Sequence, residues 1–208
     1  MFSMQRVMGQ PKVFFGLLQE SARLGEQAAT ELHTLFSEQK KPVLEGIARS
    51  RRQDKAVIMK LEEMLGRVFV TPLEREDLER VAQGLYAIPK TVEKCAELYE
   101  LSWEKVREVD FTLGSRMLMR STEVVVEMVE VLSRIGSMAD IKSLEARLAQ
   151  IEADASHVLL DASRKLYLPG TPPLQTIIAK EIFEVINSGI EHCSALGHTI
   201  ALVLLKNS

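Results

Sequence analysis

The fold is decided by residues 68–98, whose sequence is VFVTPLEREDLERVAQGLYAIPKTVEKCAEL. This stretch is typical of the end of one helix, a tight turn and the start of a second helix. Thr71 suits an N-cap, because its hydroxyl can accept a hydrogen bond from a free amide of the first helical turn. Pro72 follows at the first helical position, where a missing N–H costs nothing, and Glu74 completes a capping box. The stretch therefore predicts a helix that begins at Thr71.

The same passage returns 98 residues later in the chain. Residues 67–71 align with residues 165–169, and both stretches lead into a helix start marked by proline. In the same frame, residues 87–98 align with residues 185–196. The identical pairs there are Ile88/Ile186, Glu93/Glu191, Cys95/Cys193 and Leu98/Leu196. The shared frame indicates a duplication of a unit of about 100 residues, which is too long for a solenoid repeat.

Apolar residues recur at spacings of three and four along most of the chain, which is the period of an amphipathic helix. The predicted helices cover residues 11–39, 42–70, 71–104, 117–135, 138–167 and 171–206. No strand pattern survives, since β-branched runs such as residues 122–126 continue a helical stripe. We therefore expect an all-α fold of six long helices. We expect these helices to form a tandem pair of three-helix bundles with a 3+3 internal repeat. The first bundle covers residues 1–105 and the second covers residues 106–208, and together they form one compact unit.

Composition limits the class of protein. The 208 residues carry a net charge of −3, so no overall field argues for a nucleic-acid partner. Cys95 and Cys193 occupy matching positions on or beside apolar helix faces, which is typical of reduced core residues in a cytosolic protein. No stretch approaches the ~20 apolar residues of a membrane span. These features predict a soluble, cytoplasmic protein.

Three segments resemble the PhoU-like superfamily, in particular the phosphate-transport regulators encoded beside Pit-type phosphate transporters. They are VFFGLLQESARLGEQAATEL at residues 13–32, FVTPLEREDLERVAQGL at residues 69–85 and EIFEVINSGIEHCSALGHTIALVLLK at residues 181–206. The most specific element is the F-V-T-P-x-x-R-E-D-[IL] pattern, which is matched by Phe69, Val70, Thr71, Pro72, Arg75, Glu76, Asp77 and Leu78. The resemblance implies tandem three-helix bundles, in agreement with the periodicity.

The resemblance also implies a function. PhoU-like proteins of this branch are cytosolic accessory or regulatory proteins of inorganic phosphate uptake, often at the inner face of the membrane. The implied partner is a Pit-type phosphate transporter or another inner-membrane protein, and a homodimer is a further candidate. We therefore expect a non-enzymatic regulator that acts by protein contact. P-loop, G-x-S-x-G and H-E-x-x-H motifs are missing from the sequence, so nucleotide, acyl-transfer and zinc-protease chemistry lack support.

Many PhoU-like proteins bind metal through E/D-x-x-x-D motifs, a spacing that puts two carboxylates on one helical face. No intact motif is present in this sequence. The second half keeps a weaker set on two helices, which could converge on one Fe, Zn or Ni ion because histidine nitrogen favours such metals. The candidate ligands are Asp154, His157, Asp161, Glu184, Asn187 and Glu191, with His198 two turns beyond the last. The alternative interpretation is a pair of solvated helix flanks.

Residues 40–60 include seven basic and two acidic side chains, a surplus of five positive charges. The centre of this segment holds Arg49, Arg51, Arg52 and Lys55, where the resemblance implies an acidic motif. These residues are candidates for binding an acidic loop of a transporter, a phosphate ion or anionic lipid headgroups. The alternative is a solvated helix face. The absence of interleaved aromatic residues argues against single-stranded nucleic acid.

Two other functions stay open from the sequence. One is a metalloprotein whose second-half cluster performs redox or hydrolytic chemistry. The other is a metal-free structural bundle that dimerises and has no link to phosphate. The degenerate acidic motifs favour the regulatory protein over the metalloprotein. The link to phosphate rests on resemblance, and a shared fold alone does not establish function.

Overall fold

Six α-helices and their connections make up the computed structural model, which describes residues 4–38 and 40–207, with side chains from residue 11 onward. The helices are α1 (Met4–Glu38), α2 (Glu45–Arg67), α3 (Arg75–Val106), α4 (Thr112–Ser133), α5 (Met138–Leu166) and α6 (Pro173–Lys206). Those two ranges contain no strand, and the expected all-α fold is confirmed. Within the described residues, no helix has both the length and the hydrophobicity needed to cross a lipid bilayer.

The turn between α2 and α3 differs from the predicted capping box. α3 begins at Arg75, and no side chain caps its first amides. The hydroxyl of Thr71 donates to the carbonyl oxygen of Leu73 at 2.6 Å. The guanidinium of Arg75 donates to the carbonyl oxygen of Val68 at 2.8 Å. The prediction that Thr71 caps the helix is therefore wrong, because its hydroxyl is used inside the turn.

The turn between α5 and α6 shows the same difference. Pro172 is the N-cap of α6 and Pro173 is its first residue, so Thr171 is not the cap. A side-chain cap is present instead at the start of α5, where Ser137 accepts a hydrogen bond from the amide of Asp140 at 3.2 Å. The sequence marks this position only as a break between two helices.

The remaining helix boundaries lie close to the predicted ones, except that α1 begins before residue 11 and α4 begins at Thr112 rather than at residue 117. α1 begins at Met4, so Pro11 lies inside the helix rather than at its start. The predicted end of this helix at Gln39 lies outside the described residues. α3 continues without a break through Pro89. The number and order of the helices are therefore those that the periodicity predicts.

Two helix pairs join the predicted halves: α1 with α4, and α3 with α6. Both interfaces are more extensive than any other between two helices. α3 and α6 are antiparallel, since Asp77 at the start of α3 lies 3.2 Å from Lys206 at the end of α6. Near the middle of both helices, Thr91 lies 3.2 Å from the ring of His192. Because one hydrophobic core runs through both halves, the division between residues 105 and 106 stays a prediction.

Aromatic side chains fill the junction between the halves. The ring of Phe111 lies 5.2 Å from that of Phe36, 5.8 Å from that of Tyr99 and 4.9 Å from that of Phe183, measured between centroids. Trp103 meets the ring of Tyr99 edge-on at 5.4 Å. Such pairs stabilise a core beyond the area that they bury. Helices α1, α3 and α6 are thus held to the start of α4 by one aromatic cluster.

Cys95 and Cys193 are buried free thiols, as the sequence predicts. Burial raises the pKa of the Cys95 thiol to about 12 and also raises the pKa of the Cys193 thiol. A thiol is nucleophilic only as the thiolate. Both cysteines are therefore packing residues.

Candidate binding surfaces

On α5, the predicted metal ligands contact neighbours on their own helix. Asp154 accepts a hydrogen bond from the amide of Gln150 at 2.8 Å. Asp161 pairs with Arg164, also at 2.8 Å. His157, between them, is exposed. These contacts span one helical turn, which is the usual pairing along the flank of an amphipathic helix.

The predicted ligands on α6 behave in the same way. Glu184 pairs with Lys180 at 3.4 Å. The side-chain amide of Asn187 donates to Glu191 at 2.7 Å. The carboxylates of α6 are therefore engaged along their own helix rather than toward α5.

One contact does cross between the two helices. The ring of His198 lies 3.0 Å from the carboxylate of Glu145 on α5. However, no three His, Cys, Asp or Glu side chains within the described ranges come together as a metal site. The expected convergence of the two helices on one ion is thus not seen there. Metal binding by this cluster stays a prediction without geometric support.

Three of the four predicted basic residues, Arg49, Arg52 and Lys55, are exposed on α2. Arg52 pairs with Glu45 at 3.3 Å. In the part of the chain that the structure describes, Arg49 and Lys55 have no carboxylate within ion-pair distance. Two of these three charges are therefore available to a partner.

Arg51 does not belong to this surface, which corrects the prediction. Its side chain is only 10% exposed and lies between α2 and α3. Nη1 lies 3.5 Å from Oδ2 of Asp54, and Nε lies 3.5 Å from Oε2 of Glu93. The guanidinium carbon lies 4.0 Å from the ring centroid of Tyr86, a cation–π contact. Arg51 and Asp54 are both buried and carry opposite charges. The surface formed by residues 40–60 therefore keeps its surplus of five positive charges.

Asp54 is the centre of this buried polar cluster. Its side chain has no exposed surface, and its Oδ1 accepts a hydrogen bond from the hydroxyl of Ser21 at 2.5 Å. Burial raises the pKa of Asp54 to about 6, because the loss of hydration outweighs the opposing effects of Ser21 and Arg51. The Ser50 hydroxyl, Nε and Nη1 of Arg51 and Oδ2 of Asp54 are buried without a hydrogen bond to any described group. This part of the interior is polar and incompletely paired.

The sequence indicates this cluster through the helical period of α2, because polar residues occupy positions that face the core. The inward positions of α2 are Ile47, Ser50, Arg51, Asp54, Val57, Ile58, Leu61 and Leu65. The apolar stripe is therefore interrupted between Ile47 and Val57, and polar residues occupy the positions in phase with the core. A search for charge alone does not separate these residues from the exposed Arg49 and Arg52.

Two turns expose apolar side chains at equivalent positions of the repeat. In the turn between α2 and α3, Phe69 is fully exposed and Val70 is 66% exposed. Shifted by 98 residues, Tyr167 and Leu168 are exposed in the turn between α5 and α6. Burial of such side chains is favourable by about 1.5–3 kcal/mol each. Each turn therefore offers an apolar contact to a partner.

Comparisons with known proteins identify the fold. No protein-family model matches the chain. In sequence it is 19% identical to the UPF0111 protein YkaA of Bacillus subtilis over 144 residues, which cover 69% of this chain and 70% of that protein. In structure it matches a PhoU-like protein from Shewanella oneidensis MR-1 with a TM-score of 0.78, at 14% identity, over 93% of this chain and 99% of that one. The chain has a PhoU-like fold.

A second protein from Shewanella oneidensis MR-1, described as a PhoU-like phosphate regulatory protein, matches with a TM-score of 0.74. Its identity is 14%, and the match covers 93% of this chain and 99% of that one. The PhoU-like fold confirms the resemblance predicted from the sequence. Both matches extend over nearly the whole of both structures.

Proposed function

We propose that the protein is a non-enzymatic regulator of phosphate homeostasis that acts by contact with a membrane phosphate transporter or a signalling partner. The observation that carries the proposal is the PhoU-like fold, which extends over 93% of the chain. The description of one structural relative as phosphate regulatory supports the link to phosphate. The sequence resemblance favours a transporter of the Pit type. The proposed location is the cytoplasm, at the inner face of the membrane.

The proposed contact surface consists of α2 and the turn that follows it. We define this α2 surface by Arg49, Arg52, Lys55, Phe69 and Val70. Its three cations suit an acidic cytosolic loop, because complementary charges speed association and select partners. Its exposed aromatic ring can supply the apolar anchor that interfaces usually concentrate in a few residues.

Charge reversal on α2 tests this proposal. In cells that lack the native protein, a tagged chain with Arg49→Glu, Arg52→Glu and Lys55→Glu is compared with the unsubstituted chain. We expect the variant to lose co-purification with the phosphate transporter, because like charges replace complementary ones. We also expect the rate of phosphate uptake to equal that of cells without the protein. Radiolabelled phosphate uptake and transporter immunoblots are the measurements.

A matched control reverses Lys105, Arg120 and Lys142, which are also exposed and lie outside the α2 surface. It changes the net charge by the same amount and should leave co-purification and uptake unchanged. The proposal is overturned if deletion of the protein leaves uptake unaltered and no transporter co-purifies. A chain that then sediments as a dimer would favour the structural dimerisation bundle.

A further inference from the structure

A cleft of about 610 Å³ opens between α3 and α6 near the middle of both helices. Its walls come from these two antiparallel helices, one from each half of the repeat. The α3 wall carries Lys90, Thr91 and Lys94, and the α6 wall carries Ser188 and His192. The ammonium groups of Lys90 and Lys94 on α3 and the hydroxyl of Ser188 on α6 can donate hydrogen bonds. The cleft therefore presents donors from two opposite sides.

Equivalent positions of the repeat meet in this cleft. The pairs that line it in the 98-residue frame are Ala87/Val185, Lys90/Ser188 and Lys94/His192. One pair is apolar, and each of the other two has a lysine on α3 and a different donor on α6. The two walls therefore occupy equivalent positions of the predicted repeat but differ in their side-chain chemistry.

Lys90 and Lys94 lie one helical turn apart on α3 and are exposed. Neither ammonium group has a carboxylate within ion-pair distance among the residues that the structure describes. Like charges at this spacing destabilise a helix slightly. An anion held between the two ammonium groups would relieve their repulsion.

The imidazole of His192 is held in a defined orientation at the α6 wall. The hydroxyl of Thr91 donates to the carbonyl oxygen of Ala87 at 3.0 Å. It therefore accepts from Nδ1 of His192, which lies 3.2 Å away. This contact puts the proton of the neutral ring on Nδ1, and protonation of the ring adds a second donor at Nε2.

Carboxylates line the other end of the cleft. Glu181 and Glu184 belong to its lining, and Glu184 pairs with Lys180 at 3.4 Å. Glu184 and His192 are eight residues apart on α6, which corresponds to about 12 Å along the helix axis. The carboxylates would repel an anion near them, so the favourable end of the cleft is the one with His192.

We propose that Lys90, Lys94, Ser188 and His192 bind a phosphate-class oxyanion, which is either inorganic phosphate or the phosphoryl group of a nucleotide. Lysine binds phosphate as a point charge, the hydroxyl of Ser188 can donate to a further oxygen, and Nε2 of His192 can donate to another when the ring is protonated. The inference rests on the proposed function for its biological meaning. An anion in this cleft contacts both halves of the repeat, so the bound ligand links α3 to α6 and can signal the phosphate level through their interface.

A titration of the purified full-length chain tests the site. Inorganic phosphate is added to ¹⁵N-labelled protein at constant ionic strength, and amide chemical shifts are followed. We expect shifts concentrated at residues 90–94 and 188–192. In the double variant Lys90→Met/Lys94→Met the affinity should fall about tenfold or more, because two charge-assisted contacts are lost. The control Lys105→Met/Lys142→Met has the same change in charge and should bind as the unsubstituted chain does.

Parallel titrations with ATP and with sulfate identify the ligand. Tighter binding of ATP with the same dependence on Lys90 and Lys94 assigns the site to a phosphoryl group, and tighter binding of phosphate assigns it to the free ion. The proposal is overturned if neither phosphate nor ATP binds, if sulfate binds as tightly as both, or if the double variant binds as well as the control. Transporter regulation without anion binding rejects this site only, whereas anion binding without any effect on uptake rejects the proposed function only.

Discussion

Arg51 carries its charge inside the protein, between Asp54, Glu93 and the ring of Tyr86. Transfer of an ion from water to the interior costs several kcal/mol, which its partners must offset. The raised pKa of Asp54 shows that its partners do not fully offset the cost of burying its carboxylate. Loss of one member of such a pair typically costs about 3–5 kcal/mol, because it leaves the other charge unpaired. Arg51 also contacts Glu93 and the ring of Tyr86, so it keeps two partners on α3 when Asp54 is protonated.

Acidification should stabilise the protein through Asp54. Its pKa is about 6 in the folded chain, above the value of about 3.9 in an unfolded chain. The folded state therefore binds the extra proton between these two values, so this contribution to stability rises as the pH falls through 6 and is lost as it rises again. Between about pH 7.5 and about pH 4.5, the free energy of unfolding of the native chain should gain roughly 2 kcal/mol relative to Asp54→Asn. Urea unfolding of both chains at each pH measures the difference.

The control for this experiment is Asp154→Asn, which removes an exposed carboxylate. Its free energy of unfolding should follow that of the native chain across the same pH range. If Asp54→Asn and Asp154→Asn show equal pH dependence, the carboxyl of Asp54 does not titrate near pH 6.

For the basic residues of α2, the sequence predicted the charges correctly but not which side chains are exposed. Arg49, Arg52 and Lys55 are exposed as expected, whereas Arg51 is not. Adjacent helical positions differ by about 100° in direction, so Arg51 faces α3 while Arg52 faces solvent. A carboxylate and an aromatic ring on α3 make its burial tolerable, and no local pattern shows that they lie opposite it.

Helix starts depend on turn contacts that sequence spacing does not reveal. Thr71 and Thr171 each precede a proline, and this pattern predicts a cap at both positions. In the structure Thr71 bonds inside its turn, and α6 takes Pro172 as its N-cap. Among the N-cap residues that the structure describes, Ser137 is the one whose side chain accepts a hydrogen bond from the first turn of its helix. Helix existence was predictable from the 3.6-residue period, but the starting residue was not, because it depends on how each turn folds.

Removal of the α5 cap should weaken the protein measurably. In Ser137→Ala the amide of Asp140 loses its acceptor, and the free energy of unfolding should fall by about 1 kcal/mol. Thr171→Ala is the matched substitution at the position where a cap is predicted but not formed. It should change the free energy of unfolding by less than about 0.5 kcal/mol. Urea unfolding curves check both values, and an equal loss in both variants would contradict the assignment of the cap.

The whole molecule is held together by interfaces between its halves. α1 packs on α4 and α3 packs on α6, and these interfaces are the most extensive in the fold. Phe111, from the second predicted half, is buried against Phe36 and Tyr99 of the first. An interface that is both large and hydrophobic favours a single folding unit over two mobile domains.

Separation of the chain into residues 1–105 and residues 106–208 should therefore leave both fragments incompletely folded. Each would expose the apolar surface that the other half covers, so we expect reduced helix content, dye binding to exposed apolar surface and self-association. Mixing the fragments should restore a one-to-one complex with the helix content of the intact chain. Circular dichroism and sedimentation measure these changes. Two fragments that each unfold cooperatively as monomers would show that the division at residue 105 separates autonomous domains.

The candidate sites were less predictable than the fold. The expected metal cluster requires α5 and α6 to turn their carboxylates toward each other, but the side chains pair along each helix instead. The cleft between α3 and α6 joins residues about 100 positions apart, so no local motif points to it. The internal repeat was the only available signal, because it predicts that α3 and α6 occupy equivalent places. The repeat alone does not show that these helices touch.

Cys95 and Cys193 are two natural probes of local opening of the fold. They occupy equivalent positions of the repeat, one in α3 and one in α6, and both are buried thiols. A thiol-modifying reagent reaches each sulfur only when the helices around it open. The rate at which each thiol is modified under native conditions therefore reports how often the helices around it open. No label has to be introduced. Equal rates would mean that the molecule opens as a whole, and unequal rates would identify the half that yields first.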